Sequence, residues 1–184
     1  NKKVNDTSTI NDKCIITYIA NAGVMIEYNG TKILIDGIHS KKAHVFSTVP
    51  EELLDKMVNG IGTFDNIDYL LFTHQHPDHM DLEQVLKYKQ NNKNTLLIAP
   101  KYLEGTIQYN SSRALEEIQN KILLQTEIWE IKNISFDNVD IKCFRSLHGG
   151  KDYENINNYC YIISIGTKTF LHIGDSAMNK EFLQ

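Results

Sequence analysis

The stretch Ile67-Asp68-Tyr69-Leu70-Leu71-Phe72-Thr73-His74-Gln75-His76-Pro77-Asp78-His79 decides how this chain is to be read. Its first half is an apolar run without alternation, as expected of a strand buried on both faces. Its second half crowds three imidazoles and a carboxylate into the six residues that follow. In extended backbone alternate side chains share a side, so His74 and His76, with Cα atoms about 6.6 Å apart, can both face one ion. Pro77 suits the first position of a helix, which would put Asp78 and His79 in its opening turn and aim them elsewhere. Two adjacent cation sites are the simplest outcome. Imidazole and carboxylate without thiolate suit Zn²⁺ best, with Fe²⁺ or Mn²⁺ as competitors. Two such ions about 3.5 to 4 Å apart could hold a bridging hydroxide and polarise a carbonyl or phosphoryl oxygen. A helix N-terminus beside them would favour an anion. Hydrolysis is the reaction this pattern points to.

Upstream of the cluster, Cys14 to Ala20, Val24 to Tyr28 and Lys32 to Ile35 are rich in Ile, Val and Tyr, and Asn29-Gly30 between the last two is a two-residue hairpin signal. Pro50 followed by Glu51 to Val58 reads as a short helix, acidic at its start and stopped by Asn59-Gly60. Downstream, Met80 to Lys89 has helical spacing and Thr95 to Ala99 reads as a buried strand. Lys101 to Gln125 looks mostly helical, with Leu115, Ile118 and Ile122 as an apolar stripe. From Glu127 the pattern returns to strands, ending in Tyr159 to Ile165 and Thr169 to Ile173.

One internal echo stands out. Gly30-Thr31-Lys32-Ile33-Leu34-Ile35-Asp36 and Gly166-Thr167-Lys168-Thr169-Phe170-Leu171-His172-Ile173-Gly174-Asp175 share a Gly-Thr-Lys turn, an apolar strand and a closing Asp. A duplication would explain the match, and so would the general likeness of hairpin strands.

With 184 residues, 41% of them hydrophobic and 23% charged, and no low-complexity linker, the chain is expected to form one globular domain with a real core. A net charge of -4 argues against a dedicated nucleic-acid binder. Cys14, Cys143 and Cys160 are odd in number and widely spaced, so core packing is expected of them rather than a disulfide framework or a C-x-x-C zinc site. No apolar run approaches the roughly 18 residues of a membrane span. The polar opening Asn1 to Lys13 resembles a mature chain after signal-peptide removal, which leads to the expectation of an exported bacterial protein. A chain trimmed at that point would read the same, and a cytoplasmic protein is then the alternative.

The full set of features resembles the metallo-β-lactamase superfamily. These are the strand ending in Thr73 before His74-x-His76-x-Asp78-His79, an upstream strand ending in Asp36, a downstream His148 in Leu147-His148-Gly149-Gly150, and Gly174-Asp175 after another strand. The resemblance implies a four-layer αββα sandwich and a metal-dependent hydrolase that uses a metal-bound hydroxide on a phosphodiester, lactone or other ester. It assigns His74, His76 and His148 to a first metal site and Asp78, His79 and a bridging Asp175 to a second. Asp78 would also orient or deprotonate the nucleophilic water, and Asp36 would order the metal loop from behind the ligands. His39, His44 and His172 are not proposed as ligands. The first two lie in a loop that could border a substrate pocket, and His172 is expected to face the core.

Two departures from the family pattern matter. Many members carry Gly two residues after the last His of the motif, where this chain has Met80-Asp81. It therefore looks more like the branch containing ascorbate-phosphate lactonase and phospholipase-D-type phosphodiesterases than like antibiotic-degrading enzymes. The family's final His near the C-terminus finds no counterpart before Gln184. Residues 1–184 are thus expected to form a single domain lacking its last strand, covering helix and last metal-ligand His, with the second ion held weakly or not at all. A homodimer could cover the edge so exposed. The rival expectation is a non-catalytic binding or scaffold module that keeps the fold.

Overall fold

The computed structural model of the protein describes residues 13–40, 46–101, 114–153 and 155–177. They build two sheets. The first is mixed: β1 (Cys14–Tyr18), β2 (Val24–Tyr28) and β3 (Thr31–Ile35) run antiparallel, then β4 (Tyr69–Leu71), β5 (Leu96–Pro100) and β6 (Lys121–Leu124) join parallel to β3 in sequence order. The second is antiparallel, in the order β10 (Lys168–His172), β9 (Asn158–Ile165), β8 (Val139–Ser146), β7 (Ile131–Ser135).

The residue patterns explain the layers. Strands β3, β4 and β5 carry apolar side chains at successive positions because both faces are covered. One face, with Leu34, Leu70, Phe72 and Leu97, packs on Leu54, Met57 and Val58 of α1 (Glu51–Val58) and on Val85 and Tyr88 of α2 (Leu82–Asn91). The other, with Ile33, Ile35, Leu71 and Ile98, meets Ile141, Cys143, Tyr161 and Ile163 of the second sheet. In β8 Val139, Ile141 and Cys143 are buried while Asp140 and Lys142 are exposed, the alternation of a sheet with one face to solvent. The described residues therefore form three layers, helices on sheet on sheet, of the expected α/β sandwich. Cys143 and Cys160 are buried and Cys14 is half-buried, all as free thiols.

Two bonds lock the sheets together at the end where the segment His74 to His79 leaves β4. Tyr161 Oη donates to Phe72 O at 2.6 Å, and Tyr159 N donates to Thr73 O at 2.8 Å. Strands β3 and β4 finish side by side, in the register Ile35↔Leu71. Asp36 thus emerges beside Thr73, and its N–H donates to Leu71 O at 3.0 Å.

Two sequence-based expectations need correction. The segment taken as mostly helical contains helix over residues 114–117 and then a strand, β6, which adds parallel to β5; residues 102–113 lie outside the described residues. The apolar stripe is accordingly split. Leu115 and Ile118 pack in the helix-side core, and Ile122 packs in the core between the sheets. Pro77 does not open a helix. Residues 77–79 form a turn in which His79 N and Met80 N both donate to His76 O at 2.9 Å. Helix α2 starts only at Leu82, where Asp81 accepts from Glu83 N and Gln84 N as its own N-cap, so its N-terminus is spent on that carboxylate rather than on a substrate anion. His172 faces inward, as expected: it lies on the same side of β10 as Phe170, and its side chain reaches across to buried Asp36.

Candidate metal centre

Six side chains named from the sequence gather at the joined ends of the two sheets. His74, His76, His148 and Asp175 each offer one donor atom, and these four atoms lie within 4.8 Å of one another. His74 Nε2 stands 3.0 Å from His76 Nδ1, 3.3 Å from His148 Nε2 and 3.9 Å from Asp175 Oδ2. His79 lies on the other side of Asp175, its Nε2 3.3 Å from Oδ1, and Asp78 Oδ2 is 3.9 Å from the same nitrogen. Asp175 thus turns one oxygen to each group of residues.

The imidazole tautomers follow from the bonds behind them. Asp36 is completely buried and its carboxylate can only accept. It takes Thr73 N at 2.8 Å, Thr73 Oγ1 at 2.6 Å, His79 Nδ1 at 2.9 Å and His172 Nε2 at 3.2 Å. Thr73 Oγ1 has given its hydrogen to Asp36, so it accepts from His74 Nδ1 at 3.0 Å. His148 Nδ1 donates to Gly149 O at 2.6 Å. With both rings neutral, Nε2 of His74 and of His148 present lone pairs 3.3 Å apart, and two lone pairs that close repel unless something positive lies between them. A proton on His74 is not the answer, because burial first and the neighbouring His79 second hold its pKa well below 6.5. Burial, then His148, likewise lowers His76. A divalent cation suits this donor set.

The second group shows the opposite electrostatics. Burial works against a charged His79, yet the carboxylates of Asp175 and Asp36 outweigh it and lift the imidazole to about 10. In return, the neighbouring His148 and then His79 pull Asp175 well below the usual carboxylate range despite its partial burial. Burial would raise Asp36, but His172 and His79 more than offset it and hold that carboxyl low as well. The proton His79 keeps on Nε2 sits where a cation would meet Asp175 Oδ1.

Asp175 owes its position to residues the motif does not announce. Buried Asn158 accepts from Asp175 N at 3.1 Å through Oδ1 and donates through Nδ2 to Ile173 O at 3.0 Å and Ser176 Oγ at 2.9 Å. Gly149 N donates to Asp175 O at 2.7 Å, which ties the His148 loop to the Asp175 loop. Gly174, at φ 54°, leaves no room for a side chain, since a Cβ there would come within 2.5 Å of Asn158 Oδ1 and 2.7 Å of Thr73. Asn21, from the turn between β1 and β2, donates to Asp78 Oδ2 and to Asp78 O, both at 3.1 Å. The ring of Tyr153 stands edge-on to His76 and His148, with centroids 4.9 and 5.2 Å away. Asn21 and Asn158 read as ordinary turn and strand residues in sequence. His39 is completely buried, so it does not border an open pocket, and His44 lies outside the described residues.

A concavity of about 810 Å³ between the Asn29 turn, Phe136 to Asp140 and Ser164 to Thr167 lies at the opposite end of the strands. Its lining holds no imidazole or cationic side chain, so it is no rival for the metal chemistry.

Across residues 15–184 the chain matches the family model described as a beta-lactamase superfamily domain. Among curated proteins it is 27% identical over 161 residues to the mitochondrial N-acyl-phosphatidylethanolamine-hydrolyzing phospholipase D of Saccharomyces cerevisiae. That match covers 84% of this chain and 32% of the relative, so the chain spans about a third of the yeast protein's length. Among solved structures, a metallo hydrolase from the archaeon Ignicoccus hospitalis superposes with a TM-score of 0.59 at 18% identity, over 91% of this chain and 63% of that one. The diiron β-hydroxylase CmlA of Streptomyces venezuelae superposes with the same TM-score at 20% identity, over 90% of this chain and 30% of that one. At such identities the structural likeness shows the fold.

Proposed function

We propose, from the premise that the chain belongs to the beta-lactamase superfamily domain family, that it carries the metal centre of a hydrolase acting on a phosphodiester, lactone or other ester. The observation that carries this reading is the convergence of His74, His76, His148 and Asp175 on one point, with Asp78 and His79 set across Asp175 from it. A bound divalent cation would supply the charge that brings the pKa of water down to about 7 and polarises a substrate oxygen.

The chain's own residues do the rest. Asp36 and Thr73 fix which nitrogen of His79 and of His74 faces the centre. Asp78, only 5% exposed and steadied by Asn21, presents a carboxylate that can hold the attacking water by one hydrogen and receive its proton. Tyr153 walls the centre on the side of His76 and His148. A phosphodiester is the first substrate class to try, which the name of the yeast relative supports. Zn²⁺ is the metal of choice for an all-nitrogen-and-oxygen donor set, with Fe²⁺ and Mn²⁺ as competitors, and the diiron enzyme of the same fold supports testing iron.

The test is metal content after reconstitution with each ion, together with turnover of bis(p-nitrophenyl) phosphate and of a simple lactone by the chain and by Asp78→Ala. Metal uptake with turnover that falls on the order of 100-fold in Asp78→Ala is expected. A chain that takes up no metal and shows no Asp78-dependent turnover would instead be a non-catalytic module on this fold.

A further inference from the structure

The reading above sets a second ion against Asp78, His79 and Asp175, and the following inference rests on it. A fourth polar side chain stands against two of those three, Asp78 and His79. Asn21 sits in left-handed backbone (φ 48°) between β1 and β2, with its N–H donating to Ser47 Oγ at 2.7 Å. Its carboxamide nitrogen lies 3.1 Å from Asp78 Oδ2 and 3.4 Å from His79 Nε2, which is itself 3.3 Å from Asp175 Oδ1. Donors bound to one cation at about 2.0 to 2.2 Å stand roughly 3.0 to 3.6 Å from each other. The carboxamide terminus is therefore placed like a member of a ligand set, although the proposed ligands so far omit it.

An amide nitrogen has no available lone pair for a cation, and His79 Nε2 cannot accept from the amide while it binds an ion. A half turn of the carboxamide removes both conflicts by bringing Oδ1 to the place of Nδ2; it gives up the bond to Asp78 O, 3.1 Å away, which the bond to the cation must outweigh. We propose that Asn21 is an oxygen ligand of the second cation, alongside Asp78, His79 and Asp175. The contrasting role is a hydrogen-bond donor that only steadies Asp78. The two roles demand opposite atoms of the same group, so a substitution can tell them apart.

The experiment is titration of the metal-freed chain with Zn²⁺ by calorimetry and with Co²⁺ by visible absorption, for the wild type, Asn21→Gly and Asn21→Asp. Gly keeps the left-handed backbone while removing the side chain. Asp keeps an oxygen but offers no N–H. Two binding steps, the second the weaker, are expected for the wild type. Asn21→Gly should leave the first step unchanged and weaken the second at least about tenfold. Asn21→Asp should bind the second ion at least as tightly as the wild type and shift the Co²⁺ bands of that step. A second step as weak in Asn21→Asp as in Asn21→Gly would overturn the proposal in favour of the donor role, and an unchanged second step in Asn21→Gly would overturn it outright. A wild type that takes up a single ion overturns the proposal but leaves the first site standing. A wild type that takes up none overturns the metal reading itself.

Discussion

The hairpins β2-β3 and β9-β10 both turn at a glycine with positive φ, 85° at Gly30 and 55° at Gly166, and both send their second strand toward the metal-ligand cluster. Beyond that they differ. Strand β3 is flanked by β2 and β4 and covered on both faces, whereas β10 among the described residues pairs only with β9. The first hairpin ends in Asp36, with no exposure. The second leads to Asp175, whose side chain is 40% exposed. When the two Gly-Thr-Lys turns are aligned, the residue in β10 matching Asp36 is His172, and these two counterparts touch, Nε2 to Oδ2, at 3.2 Å. Similar strands thus deliver carboxylates with different work. Burial makes one an acceptor that orients histidines, and partial exposure makes the other a group that can face ions and substrate.

The largest expected effect separates the two aspartates by stability. Asp36→Ala strips the acceptor from His79, Thr73 and His172 inside the protein and should cost about 3 to 5 kcal/mol, read by denaturant unfolding of the metal-free chain. Asp175→Ala should cost less, about 1 to 2 kcal/mol in the same assay, because Asp36 still holds His79 and the Asp175 side chain is itself 40% exposed. Equal losses would break the comparison. The pH dependence has a definite sign. The Asp36 carboxyl is held below its ordinary 3.8, so its stabilisation is present above about pH 4 and is lost as the pH falls further. Asp36→Asn should flatten that acid limb.

Function should reverse the ranking of the two sites. Asp175→Asn keeps the shape but gives up the charge that faces both groups of histidines. Uptake of the second ion should fall on the order of 100-fold or more, with the unfolding midpoint nearly unchanged. Metal titration and unfolding of one preparation decide it. Unaltered uptake would mean that Asp175 does not bridge.

How much of this could be read from the residues depends on where the information lies. His74 to His79 are contiguous, and the buried strand before them is apolar throughout, so the cluster and its strand were legible, whereas the helix expected to open at Pro77 is a turn. His148 and Asp175 needed a family pattern, because a single His or Asp at a strand end is common. The strand β6 was hidden by helix-like spacing in 101–125. Ile118 and Ile122 are four apart but pack in different cores, and only pairing with β5 separates them. The reach of His172 to Asp36 spans 136 positions and two sheets, so no local pattern records it. Asn158 escaped for a similar reason, since its partners at 173 to 176 are brought to it by the β9-β10 hairpin.

Asn158 gives the next prediction in size. It holds the Asp175 loop through three bonds of ordinary length, so Asn158→Ala should loosen Asp175 without removing it, lowering metal affinity about 10- to 100-fold. The buried groups left unpaired should cost about 1 to 3 kcal/mol. Asn158→Asp tests the same clamp by another route. It keeps an acceptor for Asp175 N but cannot donate to Ile173 O, so it should fall between wild type and Asn158→Ala in metal titration.

The smallest effect tests the contact between the two hairpins themselves. His172→Ala removes one of the four donors on Asp36, and the remaining three, from Thr73 and His79, are enough to keep that carboxylate ionised and in place. The side chain is already 15% exposed, so water can enter behind it. Stability should drop by about 1 kcal/mol, and metal affinity by a few-fold at most, because His172 acts on the ions only through Asp36 and then through His79. His172→Gln retains a donor and should recover part of the loss. If His172→Ala instead matched Asp36→Ala in metal affinity, the second hairpin would be as essential as the buried one, and exposure could no longer be what divides the labour between them.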